Sequence, residues 1–388
     1  MTSRRDFLRG LGAGAGALAL TGGAGGVLAQ SLTGQGAAKT AAGKPRVLVD
    51  WHSHYVSRAE LRILGARQLA PRILTSASGS TVLENLTTVS ASAGAPSAFE
   101  LSDLDARIRH LDQYGIERQL LTHTVALGLD ATLPLDELKP LFRAINDELA
   151  EVVAKHPKRF LGVAALPSGD PHWAAEELRR AHRELGLIGG SLPLNAFATL
   201  AGAQTLAPLF AEAQKHRSHL FIHRGPASDR VPGQPALQIP SDNQSARWSL
   251  ISITHLTAAG ITLGLSDFLD PYPDVSVQII MLAGFLPYLS DTLINSARQS
   301  GVKDPLARLR RLYLDPGPYS RNGEWVALAA RKLGADRILF GTDYGVGGGA
   351  RGDVAPALNA LDKALSEEER QRIYVDNSRD LLRRIGRA

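Results

Sequence analysis

Val47-Leu48-Val49-Asp50-Trp51-His52-Ser53-His54 decides the fold, because it sets a pair of imidazoles at the end of a short apolar run. Val47, Leu48 and Val49 read as a buried strand. Side chains alternate along a strand, so His52 and His54 face the same way from positions roughly 6–7 Å apart along the backbone. Two imidazoles presented by one rigid element can share a divalent ion. A lone His-x-His also occurs as surface decoration, so its meaning depends on what stands at the ends of other strands.

Working outward, short apolar runs alternate with helical patterns. The runs are Val47–Asp50, Gln119–Thr122, Leu161–Ala165, Leu187–Leu192, Leu220–His223, Val277–Met281, Leu312–Leu314 and Ile338–Gly341. Amphipathic stretches lie between them: Asp103–Tyr114, Leu135–Lys155, Trp173–Leu185, Leu206–His216 and Trp325–Leu333. Eight strands separated by helices predict a (β/α)8 TIM barrel occupying residues 46–388. An open doubly wound sheet is the alternative, but no Gly-x-Gly-x-x-Gly follows the first strand. Two connections are long, residues 56–100 after the first strand and 224–242 after the fifth. Both leave C-terminal strand ends, where a barrel keeps its active site, so the first is expected to act as a lid-like insertion.

The fifth run ends in His223 and the eighth in Gly341-Thr342-Asp343-Tyr344. In a barrel these ends surround the mouth that His52 and His54 face. Three imidazoles and one carboxylate suit one divalent ion, zinc first, with manganese and iron as alternatives. The chain has no cysteine, which excludes thiolate sites. A ligand position left open to water would lower that water's pKa, and Asp343 could hold and deprotonate it. His123, just after the second strand, is a second catalytic candidate, with a structural loop histidine as the alternative. Arg224 is placed to clamp a substrate carboxylate. His255 could reach the mouth from the segment after the fifth-strand loop. His110, His156, His172, His182, His216 and His219 read as structural, and Trp51 as packing.

Ser3-Arg4-Arg5-Asp6-Phe7-Leu8-Arg9, a weakly apolar stretch and Val27-Leu28-Ala29 match a twin-arginine signal over residues 1–29. Residues 30–45 read as a flexible linker. The expectation is export to the periplasm by the twin-arginine machinery, with no stable membrane span. The leader contributes +2 to a formal net charge of +5, leaving a chain too mildly basic to suggest nucleic acid.

At this point the chain resembles a known family. His52-x-His54, the apolar-apolar-His223 and Leu339-Phe340-Gly341-Thr342-Asp343-Tyr344 are similar to the amidohydrolase superfamily. Within it they resemble the amidohydrolase-2 group, which includes amino-carboxymuconate-semialdehyde decarboxylase and related aromatic-acid decarboxylases. Tyr114-Gly115-Ile116-Glu117-Arg118, Gly284-Phe285-Leu286-Pro287-Tyr288 and Val375-Asp376-Asn377-Ser378 extend the likeness over most of residues 46–386. The resemblance implies a barrel, one ion held by His52, His54, His223 and Asp343, often a homodimer, and hydrolysis or non-oxidative loss of CO2 from a small aromatic or carboxylated molecule. The fourth strand carries Gly189-Gly190-Ser191-Leu192 and no lysine, so the second ion of binuclear relatives is not expected. One departure stands out. The family's sixth strand usually ends in His-Gly-Gly-Gly, where this chain has Met281-Leu282-Ala283-Gly284. A thioether cannot serve as general acid or base. The first expectation is therefore a metal-dependent hydrolase. The alternatives are a decarboxylase that has replaced its histidine, and an exported metal- or ligand-binding relative without catalysis.

Overall fold

The computed structural model describes residues 46–75, 81–84, 101–235, 243–345 and 354–387. The expected twin-arginine leader and linker to residue 45, most of the centre of the first long connection and residues 236–242 of the second lie outside the described residues.

The strands are β1 (Val47–Asp50), β2 (Arg72–Thr75), β3 (Thr81–Glu84), β4 (Ile116–Leu121), β5 (Phe160–Gly162), β6 (Ala164–Ala165), β7 (Gly189–Pro193), β8 (His219–His223), β9 (Ser276–Ile279) and β10 (Leu312–Leu314). All but β2 and β3 pair in parallel, in the orders β1-β4-β5 and β10-β9-β8-β7-β6. β5 and β6 are two halves of one stave interrupted at Val163, whose N–H reaches Leu121 O at 3.2 Å. The circle is closed by residues 338–344. Leu339 N donates to Leu314 O, Trp51 N to Phe340 O and Asp343 N to His52 O, each at 2.8 Å. The result is the (β/α)8 barrel expected. Its eighth stave differs from the expected strand Ile338–Gly341, because it joins its neighbours only through isolated bridges at Ile338 and Tyr344.

The staves read as mainly apolar runs because helices cover their outer faces. Local chemistry starts those helices where the loops need them. Asp103 caps Leu104–Tyr114 by accepting from Ala106 N, and Asp170 caps Pro171–Arg183 with proline in the first turn. The insertion after β1 opens with the helix Arg58–Ala66, started by a Ser57/Glu60 capping box, and continues into the antiparallel β2–β3 hairpin. Glu148, on the helix Leu135–Lys155, accepts from Tyr55 Oη at 3.1 Å and Arg58 N at 3.0 Å, which ties the start of the insertion to the barrel wall. Among the described residues no helix is long and apolar enough to cross a membrane.

Candidate metal centre

His52 and His54 leave the end of β1, His223 ends β8, and Asp343 follows the closing stave. One ligand atom from each lies within 4.8 Å of the other three. The Asp343 Oδ1 atom stands 3.3 Å from His52 Nε2 and 3.1 Å from His54 Nε2. Two ligands about 2.0–2.1 Å from one ion in a tetrahedral shell would be separated by about 3.3 Å. The donor set and spacing therefore fit one divalent ion. His52 Nε2 is also buried without a hydrogen-bond partner, with the nearest Asp343 oxygen 3.3 Å away.

Each imidazole is turned toward the centre by a partner on its other nitrogen. His52 Nδ1 meets Asp315 Oδ1 at 2.7 Å. His54 Nδ1 meets Thr122 Oγ1 at 3.2 Å, and that hydroxyl spends its hydrogen on Ser53 O at 2.9 Å, so it accepts from the ring. His223 Nδ1 donates to Arg224 O at 2.9 Å. All three rings thus present Nε2, the tautomer that ligation requires.

The electrostatics agree. Burial, and then the neighbouring imidazoles, hold His223 well below the usual range. Burial also lowers His54, against the pull of Asp343. Burial opposes a charge on His52 too, yet the Asp315 and Asp343 carboxylates raise it to about 10. Burial works against ionised Asp343, but the close His52 and His54 imidazoles keep its carboxyl well below the usual carboxylate range. A centre with two neutral imidazoles and a surplus of carboxylate calls for a cation, and ligation would displace the His52 proton.

A second buried network fixes the strand that carries the pair. Asp50 accepts from Gln119 Nε2 at 2.7 Å, Thr342 Oγ1 at 2.7 Å, Thr342 N at 3.0 Å and His52 N at 3.2 Å. Arg107 is buried beneath the same strand. It donates to His54 O at 2.6 Å, Gln119 Oε1 at 2.8 Å and Ser53 Oγ at 3.2 Å. Asp50, Arg107 and Asp315 were not singled out in the sequence. Asp315 carried a signal all the same, since it ends an apolar run as Asp343 does.

Other candidates fall differently. His123 is buried, with Nδ1 3.0 Å from Ser191 Oγ. Burial, helped by His54, lowers it to about 3, so the ring is neutral. Arg224 follows His223 directly, its charge adds a little to the lowering of His223, and it works against the rise that burial imposes on Tyr319. His255, on the helix Gln244–Leu265, does not join the four residues. Arg67 and Arg72, from the first long connection, pair with Glu137 and Glu84. Trp51 packs as expected, its Nε1 donating to Ser378 Oγ at 2.9 Å. Met281 opens a turn in which Met281, Leu282 and Ala283 all have left-handed φ (52°, 57° and 51°), followed by Gly284 at 65°. A cleft of about 570 Å³ lined by Asp130–Asp136 and Ser228–Arg230 contains none of the four. The ligand geometry, rather than that cleft, marks the candidate functional site.

A family model described as amidohydrolase matches residues 49–384. The gamma-resorcylate decarboxylase of Polaromonas sp. is 30% identical over 298 residues, covering 72% of this chain and 87% of that protein. The enzyme of the same name from Rhizobium sp. is 29% identical, over 62% of this chain and 76% of that one. The crystal structure of dihydroxybenzoic acid decarboxylase from Polaromonas sp., with bound manganese and the inhibitor 2-nitroresorcinol, superposes with a TM-score of 0.62 at 21% identity, covering 88% of this chain and 98% of that one.

Proposed function

The chain belongs to the amidohydrolase family, and we propose from that premise that it is a metal-dependent decarboxylase releasing CO2 from a small carboxylated aromatic molecule. The observation that carries this reading is the His52, His54, His223 and Asp343 cluster, in a chain whose relatives are named as decarboxylases of such acids. His52, His54 and His223 would hold the ion through Nε2 and Asp343 through Oδ1. Manganese stands beside zinc as its identity, given the manganese in the Polaromonas structure. The bound ion would act as a Lewis acid on the substrate's oxygens. Arg224, beside His223, would pair with the carboxylate and orient it. As the bond between ring carbon and carboxylate breaks, its electron pair stays on the ring carbon and CO2 departs. Asp343, whose side chain is 18% exposed, relays a proton from water to that carbon. His123, neutral and with Nδ1 committed to Ser191, serves as a hydrogen-bonding group rather than an acid.

Met281 favours a second reading, hydrolysis. With no imidazole at the sixth strand end, the residues left near the ion suit the activation of one water by Asp343. The test is turnover of hydroxylated benzoates and of aromatic lactones and esters by ion-loaded protein in ¹⁸O-labelled water. CO2 release without ¹⁸O entering the aromatic product supports decarboxylation. Incorporation of ¹⁸O without CO2 overturns it in favour of hydrolysis. An ion-loaded protein that binds these compounds and turns over none favours the non-catalytic relative. Export to the periplasm is proposed on the strength of Arg4-Arg5 and Val27-Leu28-Ala29. The double change Arg4→Lys, Arg5→Lys should leave the protein in the cytoplasm on fractionation.

A further inference from the structure

Behind His52 runs a buried chain of polar side chains with a single self-consistent direction. Gln278 Nε2 stands 2.6 Å from Asp315 Oδ2 and 3.2 Å from Trp51 O. A carboxylate and a carbonyl only accept, so this end of Gln278 is its NH2. Its Oε1 then faces His219 Nε2 at 2.9 Å, which must carry the hydrogen. His219 Nδ1 is left bare, and it is indeed a buried nitrogen without a partner. In the other direction, Asp315 Oδ2 is taken by Gln278, so Oδ1 receives the hydrogen of His52 Nδ1. That leaves the Nε2 of a neutral His52 with its lone pair toward Asp343.

The three imidazoles are not equivalent. His54 and His223 lean on neutral acceptors, Thr122 Oγ1 and Arg224 O. Only His52 has a carboxylate behind it. Asp315, Gln278 and His219 are all fully buried. Two glycines let the backbone close over the pair: a Cβ on Gly317 would stand 3.0 Å from His52 Nδ1, and one on Gly341 would stand 2.9 Å from Asp315 Oδ1. No side chain larger than hydrogen fits between the pair and those strand ends.

We infer that Asp315 is a positioning residue of the ion centre: the His219–Gln278–Asp315–His52 chain fixes which nitrogen of His52 meets the ion, and the Asp315 charge makes that nitrogen the strongest donor of the set. This rests on reading His52, His54, His223 and Asp343 as ligands of one ion.

The test is the affinity of the purified full chain for Zn²⁺ and Mn²⁺, measured by competition with a chromogenic chelator and independent of turnover. Asp315→Asn should raise both dissociation constants about 10- to 100-fold, the usual cost of losing a carboxylate behind a ligating histidine. In that variant the new amide faces the Gln278 NH2 donor to donor, which also weakens the fold. The double variant Asp315→Asn, Gln278→Glu gives the amide an acceptor again while moving the charge one residue away from His52. Its thermal midpoint should recover in part, since the introduced carboxylate still faces Trp51 O, and its dissociation constants should stay raised at least fivefold. Recovery of wild-type affinity in the double variant would mean that Asp315 is scaffold only, which overturns the inference. So would an Asp315→Asn protein whose affinities lie within twofold of wild type. His223→Ala separates this failure from failure of the ion reading: if His223→Ala loses the ion and Asp315→Asn does not, the centre stands without the relay. A wild-type chain that binds neither ion removes the centre and the inference together.

Discussion

At the end of β1 polar side chains are braced by buried partners, whereas at the end of β9 the backbone is strained and its side chains are apolar. Asp50 alone accepts four hydrogen bonds, and His52 and His54 are gripped from behind by Asp315 and Thr122. After β9, Met281, Leu282 and Ala283 occupy the left-handed region, at roughly 1–2 kcal/mol each for residues with a Cβ. The turn is held by Leu282 N on Asp315 O and Phe285 N on Thr257 Oγ1, both at 2.8 Å. The family resemblance puts glycines in this turn. Here the glycine-shaped backbone persists although only Gly284 is left. The two ends lie on one rim, and the contrast between them teaches that one strand end is held by buried polar side chains and the other by backbone contacts around an apolar turn. The candidate ion-binding end keeps its four ligands, while the end where the family resemblance implies an imidazole carries Met281 on a left-handed turn.

The contrast breaks most sharply if ion binding depends on both ends. His52→Ala removes a ligand from a centre with few to spare, and the ion affinity should fall by more than about 100-fold, beyond the loss expected from an outer partner. Met281→Ala should leave ion content and affinity within twofold. Metal analysis of the two purified proteins checks this, and an ion-depleted Met281→Ala would tie the β9 turn to the centre.

Gly284→Ala should have the next largest effect. A Cβ there would meet Ile253 O at 2.2 Å, with φ at +65°. Both overpacking and left-handed strain act, so a loss of more than about 3 kcal/mol is expected in urea unfolding. A near-neutral result would mean that the helix Gln244–Leu265 does not pin the turn.

The braced side contains one group whose stability contribution depends on pH. Glu60 follows the histidine strand and is fully buried, with Ser57 N and Oγ donating to its Oε2 at 2.8 and 2.9 Å. Burial outweighs these bonds and raises its carboxyl to about 7 from 4.5. The folded chain therefore keeps this proton where the unfolded chain has lost it. Its contribution is fully present below pH 4.5, declines as pH rises toward 7 and is gone above that. Glu60→Gln removes the titration, so the stability of this variant relative to wild type should grow between pH 5 and pH 8, by on the order of 2–3 kcal/mol. A pH-independent difference would mean that Glu60 is ionised in the fold.

How much of this was legible in the sequence follows the same divide. His52, His54, His223 and Asp343 each end an apolar run, and strand ends converge in a barrel, so type and place together announced them. Asp315 ends Leu312-Tyr313-Leu314 in the same way and was passed over because its partner is a histidine 263 residues away. Gln278 and His219 look like polar interruptions of buried strands, and only the β8–β9 register brings them face to face. The eighth stave was readable as a position but not as a ladder, since it holds its neighbours by isolated bridges. The left-handed turn was not legible at all. Met-Leu-Ala has no local preference for positive φ, and tertiary contacts impose it.

That imposition can be measured at Ala283, where the smallest of the effects is expected. Ala283 is fully buried, and an ordinary buried Ala→Gly change loses about 0.8 kcal/mol of methyl burial and adds backbone freedom to the unfolded chain. At φ 51° the Cβ is itself the source of strain, and removing it recovers roughly 1–2 kcal/mol. The two terms nearly cancel, with the strain the larger, so Ala283→Gly should be neutral or stabilising by up to about 1 kcal/mol in urea unfolding. A loss of about 1 kcal/mol, as at an unstrained buried site, would show that the turn accommodates its side chains without strain. The left-handed shape would then be a property of this sequence rather than of the contacts around it.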